Sequence, residues 1–206
     1  MSYLFKRGKV LFFRWLAKTH IYKQFLKHVA PKLRLSLYYT SMRGWKYHRG
    51  YKLLQPGDII LAKDNLKVTT YIIGGEWAHA GICVSKDGDF ECAEMTNKDY
   101  TKSTFADMCF EADRVAIIRC KDWDAEYTQK VIKNVLKYQN AKYDVEFKLG
   151  HEYLYCSELI YLADEERRLK VNLEDLEQLG REYLSPTGLW LAENVSIIWD
   201  SDTERR

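Results

Sequence analysis

The sequence lacks the features of a membrane-spanning protein and of a disulfide-stabilised one. No stretch approaches the roughly 18 uncharged apolar residues that cross a bilayer, and the apolar run Val10–Ala17 is interrupted by Arg14. The five cysteines are odd in number, scattered, and include no Cys-x-x-Cys pair, which is unlike a disulfide framework. The basic and apolar start has no small-residue cleavage site, so we expect a cytoplasmic protein in a reducing compartment.

Acidic residues are missing from the first quarter of the chain. No Asp or Glu precedes Asp58, whereas thirteen Lys and Arg residues lie between Lys6 and Lys52. The rest of the chain carries 19 basic and 29 acidic residues, so two segments of opposite charge share one polypeptide. We therefore divide the 206 residues into a basic extension, 1–52, and one globular domain, 53–206.

The extension is predicted to be helical, because its apolar residues recur at three-, four- or seven-residue steps with basic residues between them. Pro31 should end or kink that helix. One interpretation packs the helix on the following domain with its Lys and Arg side chains in water. The alternatives place it against an anionic membrane surface, another acidic partner or nucleic acid. The apolar positions are Leu4, Leu11, Trp15, Tyr22, Leu26, Val29 and Leu33.

The remaining chain reads as strands and helices without regular alternation. Only three prolines occur, and 47% of the residues are hydrophobic, so the chain can bury a core. This pattern predicts an α+β fold with a small antiparallel sheet packed against helices. The predicted strands are 59–62, 78–84, 90–95, 115–119 and 194–199, and the predicted helices are 124–139 and 156–168.

Cys156 is the candidate nucleophile. A thiol attacks only as the thiolate, so a nucleophilic cysteine needs a helix N-terminus or an imidazolium beside it to lower its pKa. Cys156 stands where a helix is predicted to begin. Its own backbone N–H would there be free to hold the oxyanion of an attacked carbonyl. A small buried hydrophobic role is the alternative for any single cysteine.

His79 is the candidate base. Among the five histidines it is the one inside a predicted core strand, and the small residues Ala78, Ala80 and Gly81 beside it leave room for substrate. The others lie in the basic extension or in a polar loop, where surface histidines are ordinary. A histidine of this kind can also be purely structural. The other histidines are His20, His28, His48 and His151.

A carboxylate should orient His79, and the predicted hairpin offers Glu91 and Glu94. With a two-residue turn at Asp87–Gly88, paired residue numbers sum to 175, which puts Glu94 opposite Gly81 and on the face of His79. A loop longer by one residue would select Glu91 instead. We favour Glu94.

The same register places His79, Cys83 and Cys92 on one face, which raises the alternative of a zinc site. Structural zinc usually takes four ligands, and the usual Cys-x₂₋₄-Cys spacing is absent. We therefore predict no metal and no cofactor.

Four segments in this order resemble the YiiX-like family, the permuted branch of the NlpC-type papain-like superfamily. They are Gly57–Ile60, His79–Ile82, Ala93–Glu94 and Tyr155–Ile160. Tyr143–Asp144 also resembles an element ahead of the family's cysteine, and the similarity spans about Leu53 to Ala163. Papain-like enzymes usually present Cys before His, whereas this family, like this chain, presents His first.

The resemblance implies a permuted papain-like fold with Cys156 as nucleophile, His79 as base and Glu94 as the orienting group. It also suggests Tyr155, Gly81 and Tyr143 as substrate contacts. The implied activity is hydrolysis of an amide in a peptide or a cell-wall-like molecule. The alternatives are lipid acyl chemistry at a membrane surface and a non-catalytic binding protein that uses its basic arm.

Overall fold

The computed structural model describes residues 19–29, 42, 44–63, 75–87, 91–110, 112–150, 153–176 and 181–203. The strands are β1 (Ile59–Lys63), β2 (His79–Cys83), β3 (Cys92–Thr96), β4 (Asp99–Ser103), β5 (Arg114–Cys120), β6 (Lys142–Tyr143), β7 (Tyr153–Leu154), β8 (Glu174–Leu176), β9 (Arg181–Tyr183) and β10 (Val195–Asp200). The helices are α1 (His20–Gln24), which continues as a π-helical turn (Phe25–Val29), α2 (Trp45–Leu53), α3 (Phe105–Phe110), α4 (Ala125–Lys137), α5 (Cys156–Ala163) and α6 (Pro186–Trp190).

The centre of the fold is a six-stranded sheet in the order β10-β5-β1-β2-β3-β4. Every neighbouring pair in it is antiparallel. Two-stranded pairs, β6 with β7 and β8 with β9, lie outside this sheet. The five predicted strands all occur in the large sheet, with ends shifted by one or two residues, and the α+β prediction is confirmed.

The large sheet is buried on both faces, because alternate residues of its strands point to opposite sides. Ile59 and Leu61 of β1 belong to a core cluster that includes Leu159 and Ile160 of α5. Ile60, which points to the opposite side of the sheet, belongs to a second cluster with Phe105 and Trp199. Helix α2 also packs against this second cluster. The sheet therefore separates two hydrophobic cores, and α5 covers the first of them.

The register predicted for the β2–β3 hairpin is confirmed. Gly81 pairs with Glu94, Ile82 with Ala93 and Cys83 with Cys92, so paired residue numbers sum to 175. Side chains at alternate positions therefore put Glu94 on the face of His79. The turn itself, residues 88–90, lies outside the described residues.

The helix that begins at Cys156 ends at Ala163, so its predicted end near residue 168 is wrong. The carboxylate of Asp164 accepts hydrogen bonds from the N–H groups of Arg168 (3.2 Å) and Leu169 (2.7 Å). It also accepts one from the hydroxyl of Tyr127 at 2.6 Å. Because Asp164 binds the backbone of the following turn, the chain leaves the helix there despite its helix-forming residues.

Strand β4 was missed by the sequence reading, because its residues Asp99–Ser103 are mostly polar and half-exposed. By contrast, helix α4 was predicted within two residues at its C-terminal end. Asp124 caps its start, accepting a hydrogen bond from the Tyr127 N–H at 2.8 Å. Local caps are therefore easier to read from sequence than polar edge strands.

Within the basic extension, the structure describes helix at His20–Gln24, the π-helical turn at Phe25–Val29, and most of α2; the extension as a separate helical unit stays a prediction. Thr19 caps α1 by accepting a hydrogen bond from the Tyr22 N–H at 3.2 Å. The predicted break at Pro31 lies outside the described residues. Among the helices that the structure describes, none has the length and apolar character needed to cross a bilayer.

The Gly57–Asp58 motif is structural. Asp58 is fully buried and binds Arg119 through two hydrogen bonds of 2.6 and 2.9 Å. It also accepts the Gln55 N–H at 2.8 Å. Gly57 has a φ of 91°, and a Cβ there would lie 2.3 Å from a methyl of Thr128. Both residues fix the turn that leads into β1, the central strand beside β2.

Candidate active site

Cys156 is the first residue of α5 and is 3% exposed. Its neighbour Tyr155 is the N-cap, with extended backbone geometry. The side chain of Glu158 accepts the Tyr155 N–H at 3.3 Å, as in a capping box. The sulfur therefore lies at the positive end of a helix, where an anion is favoured.

The residues on either side of Cys156 are both attached to Leu184. The Leu184 N–H donates to the Tyr155 hydroxyl at 3.0 Å, and the Ser157 hydroxyl donates to the Leu184 carbonyl at 2.6 Å. Ser157 is fully buried and Tyr155 is 1% exposed. This pair of bonds fixes the position of the thiol between them.

His79 is the first residue of β2, so its imidazole lies at the end of the sheet. Its Nε2 hydrogen-bonds Oε2 of Glu94. Its ring also interacts with the Cys156 thiol, which raises the pKa of His79, and since Nε2 faces the carboxylate, Nδ1 is the nitrogen left for the thiol. The side chain of His79 is 30% exposed, which leaves a path for substrate. The three predicted residues are thus in one hydrogen-bonded row.

In this site the pKa of the Cys156 thiol lies below that of the His79 imidazole, which is the reverse of the order in free side chains. Burial opposes ionisation of Cys156, but hydrogen bonds from His79 and from the N–H groups of Ala80 and Ser157 outweigh it and lower the pKa of Cys156. Burial also opposes charging of His79, yet its bonds to Cys156 and Glu94 raise its pKa to about 10. Both shifts favour the thiolate–imidazolium pair over the neutral pair.

Glu94 is 7% exposed, so burial alone would raise its pKa, but the hydrogen bond and charge of His79 lower it. Glu91 is occupied elsewhere. Its two oxygens accept hydrogen bonds from the Tyr51 hydroxyl at 2.8 Å and the Phe105 N–H at 3.0 Å. The structure therefore places Glu94, and not Glu91, beside the imidazole.

The three predicted substrate contacts occupy different surroundings. Tyr143 is half-buried near Cys156, and burial together with that thiolate raises the pKa of its hydroxyl. Tyr155 is buried against Phe147, with ring centroids 5.5 Å apart. Gly81 is buried, and a Cβ there would lie 2.8 Å from the terminal methyl of Met108. Contact with substrate stays a prediction for all three.

Two carboxylates that the sequence reading passed over shape the loop after Tyr143. Asp144 accepts the N–H groups of Glu146 (2.7 Å) and Lys148 (2.6 Å). Glu158, fully buried in α5, accepts the Gly150 N–H at 2.5 Å. Burial raises the pKa of Glu158 to about 8. Both residues could have been identified from the family resemblance, because Asp144 and Glu158 lie in segments that resemble the family.

The predicted sharing of one face by His79, Cys83 and Cys92 follows from the confirmed register. Within the described residues, however, no three His, Cys, Asp or Glu side chains are arranged to hold a metal ion. Burial raises the pKa of Cys83 to about 12 and that of Cys92 further. Both are therefore neutral thiols, which bind metal poorly.

The chain is similar to known proteins in fold and in family. The E. coli O157:H7 protein described as metalloprotein yiiX is similar in structure, with a TM-score of 0.55 and 16% sequence identity over 69% of this chain and 95% of that one. No curated protein matches the chain in sequence. Residues 53–200 match the family described as permuted papain-like amidase enzymes, YaeF/YiiX, C92. The chain therefore belongs to this family of cysteine peptidases and amidases and has its permuted papain-like fold.

Proposed function

We propose that the protein hydrolyses an amide bond in a peptide or a cell-wall-like molecule through a thioacyl intermediate on Cys156. The observation that carries the proposal is the row in which His79 bonds both Cys156 and Glu94. Such a row supplies a nucleophile that is already ionised, a proton donor and a group that holds the donor in place.

The proposed reaction begins when the Cys156 sulfur attacks the amide carbonyl carbon and a C–S bond forms. The carbonyl oxygen becomes an oxyanion, which the Cys156 N–H at the helix start is placed to hold. His79 gives its proton to the amine nitrogen as the C–N bond breaks. Water then attacks the thioester while His79 takes a proton from it. The products are an amine and a carboxylic acid, and the thiolate is restored.

A panel of N-acyl amino-acid amides, short peptides and phospholipid esters tests this proposal. We expect release of amine from at least one amide, and a mass increase equal to its acyl group on Cys156 when the reaction is quenched early. Cys156→Ala should abolish both, while Cys120→Ala, which changes another buried thiol, should retain them. Turnover of esters alone would favour the lipid alternative, and turnover by Cys156→Ala would refute the proposal.

Glu94→Gln is expected to lower kcat by about 100-fold, because the amide no longer offsets the imidazolium charge. Steady-state kinetics on the best amide of the panel would measure it. Glu91→Gln is the matched control, since the two oxygens of Glu91 bond the Tyr51 hydroxyl and the Phe105 N–H instead of the imidazole. Equal losses in the two variants would show that Glu94 has no special role.

A further inference from the structure

The part of the basic extension at residues 19–29 is attached to the loop beside the active site. Lys23 of α1 forms an ion pair with Glu146. On the next turn, the Lys27 carbonyl accepts a hydrogen bond from the Asn97 side chain at 3.3 Å. Glu146 lies in the loop that follows Tyr143, the tyrosine near Cys156. Residues 19–29 of the extension are therefore in contact with the loop that follows Tyr143.

Three large apolar side chains of these segments are exposed. Ile21 of α1 is 81% exposed, Leu149 of the loop 40%, and Tyr153 of β7 57%. Together with Lys27, Lys142 and Lys148 of the same segments, we call them the basic–apolar surface.

Two of these lysines are neighbours of exposed apolar residues, and two of them interact with Asp99. Lys142 pairs with Tyr153 across β6 and β7 and bonds Asp99 at 2.9 Å. Burial raises the pKa of Asp99, but bonds from Lys142 and the Tyr143 N–H lower it, and the charge of Lys27 makes a smaller contribution that also lowers it. Lys148 precedes Leu149 in the chain and pairs with Glu146 at 2.6 Å, and its side chain is 62% exposed, similar to the 61% of Lys142. Exposed ammonium groups and exposed apolar groups thus belong to the same few segments, where Asp99 and Glu146 offset part of the positive charge.

The basic charge could attract two polyanionic partners, nucleic acid and an anionic membrane. The presence of exposed apolar side chains among the lysines favours the membrane. Nucleic acid binding uses basic groups with hydrogen-bonding or stacking side chains, and exposed Ile21 and Leu149 contribute to neither. A bilayer with anionic headgroups takes up apolar side chains below the headgroups while lysines reach the phosphates. The thirteen basic residues before Asp58 add attraction of the same sign.

We infer that the basic–apolar surface docks on anionic phospholipid bilayers and holds the Cys156 site beside the membrane. Docking uses none of the catalytic row, so it is independent of the proposed amidase reaction. Acyl-bearing amides or esters presented by a membrane would then meet Tyr143 and Cys156 from the side of the loop.

Vesicle sedimentation of the full chain tests the inference. At 0.1 M salt the protein should sediment with phosphatidylcholine vesicles that contain 30% phosphatidylserine, and not with pure phosphatidylcholine. Lys27→Gln and Lys148→Gln should each weaken binding about fivefold, since each lysine near the surface adds attraction of that size. Ile21→Gln should weaken it at every salt concentration, whereas 0.5 M salt should remove the lysine effects.

Lys121→Gln and Lys133→Gln, which remove exposed lysines elsewhere, are the charge-matched controls and should bind as the unchanged protein does. Cys156→Ala should also bind normally, so a failure of catalysis and a failure of docking give different results. The inference is overturned if the surface and control variants bind equally, or if phosphatidylserine vesicles are ignored. It is likewise overturned if an oligonucleotide binds with the same lysine dependence while vesicles do not.

Discussion

At pH 6.5, limiting iodoacetamide is expected to alkylate Cys156 about 100-fold more slowly in a His79→Ala variant than in the unchanged protein. An ordinary thiol with a pKa near 8.5 is only about 1% thiolate at this pH. In the unchanged protein, His79 and two backbone N–H groups outweigh burial and lower the pKa of Cys156. Without the imidazole, burial dominates and the thiol stays protonated. Mass spectrometry of the alkylated peptide measures the rate.

The dependence of the alkylation rate on pH is a second test of the lowered Cys156 pKa. The pKa of Cys156 is lowered and that of His79 is raised to about 10, so the ion pair exists between the two values. The alkylation rate of the unchanged protein should therefore reach its plateau at a lower pH than that of an ordinary thiol and stay flat from there to about pH 9. In the variant the rate should rise steadily with pH, as for a free thiol, and the difference should narrow above neutrality.

The other four cysteines provide internal controls. Burial raises their pKa values, to about 12 for Cys83 and Cys109 and about 11 for Cys120, with Cys92 higher still. They should react last at pH 6.5. His48→Ala removes an exposed histidine and should leave the rate unchanged. Similar labelling of all five thiols would contradict an activated Cys156.

The row of Cys156, His79 and Glu94 could be predicted because each member depends on a short-range pattern. An apolar run marks the start of α5 at Cys156, and hairpin pairing follows from the position of a turn. Pairing of Gly81 with Glu94 then selects one glutamate by alternation alone. The contact between α5 and β2 came only with the family resemblance, since no local pattern brings residues 77 positions apart together.

The supports of the row escaped prediction because they join distant segments. Leu184 bonds the residues on both sides of Cys156, yet it lies 27 residues beyond Ser157 and carries no polar side chain. The partner is a backbone group, which every residue possesses, so no residue type indicates it. Glu158 has a recognisable spacing to Tyr155, but its bond to Gly150 depends on how the loop folds.

The family motifs also combine chemistry with folding requirements. Asp58 resembles a site residue because the motif includes it, but it is fully buried and bonded to Arg119. A Cβ at Gly81, beside His79, would lie 2.8 Å from the terminal methyl of Met108, which would have to shift. The family motifs therefore include residues that the fold uses as well as residues of the catalytic row, and the structure distinguishes the two.

Arg119→Met is expected to lower the free energy of unfolding by about 3 kcal/mol at pH 7, because it leaves the buried Asp58 carboxylate without its cation. This corresponds to a melting temperature about 6–12 °C lower for a chain of this length. Asp58 would retain the Gln55 N–H as a donor, and the Arg119 side chain is one-third exposed, which keeps the loss at the low end for buried ion pairs. Urea unfolding followed by circular dichroism would measure it.

The loss should depend on pH in a definite direction. Burial already raises the pKa of Asp58 although Arg119 lowers it, and removal of Arg119 raises the pKa further. A carboxyl whose folded pKa exceeds its unfolded value costs stability that is complete above the folded pKa and declines as the pH falls from that value toward the unfolded one. The deficit of Arg119→Met should therefore shrink as the pH falls from the folded pKa of Asp58 toward about 4. Lys130→Met, which breaks an exposed pair with Glu166, should change the free energy of unfolding little, because solvent screens the pair. An Arg119→Met loss equal to that control, with no pH dependence, would mean that Asp58 is held by its backbone partners alone.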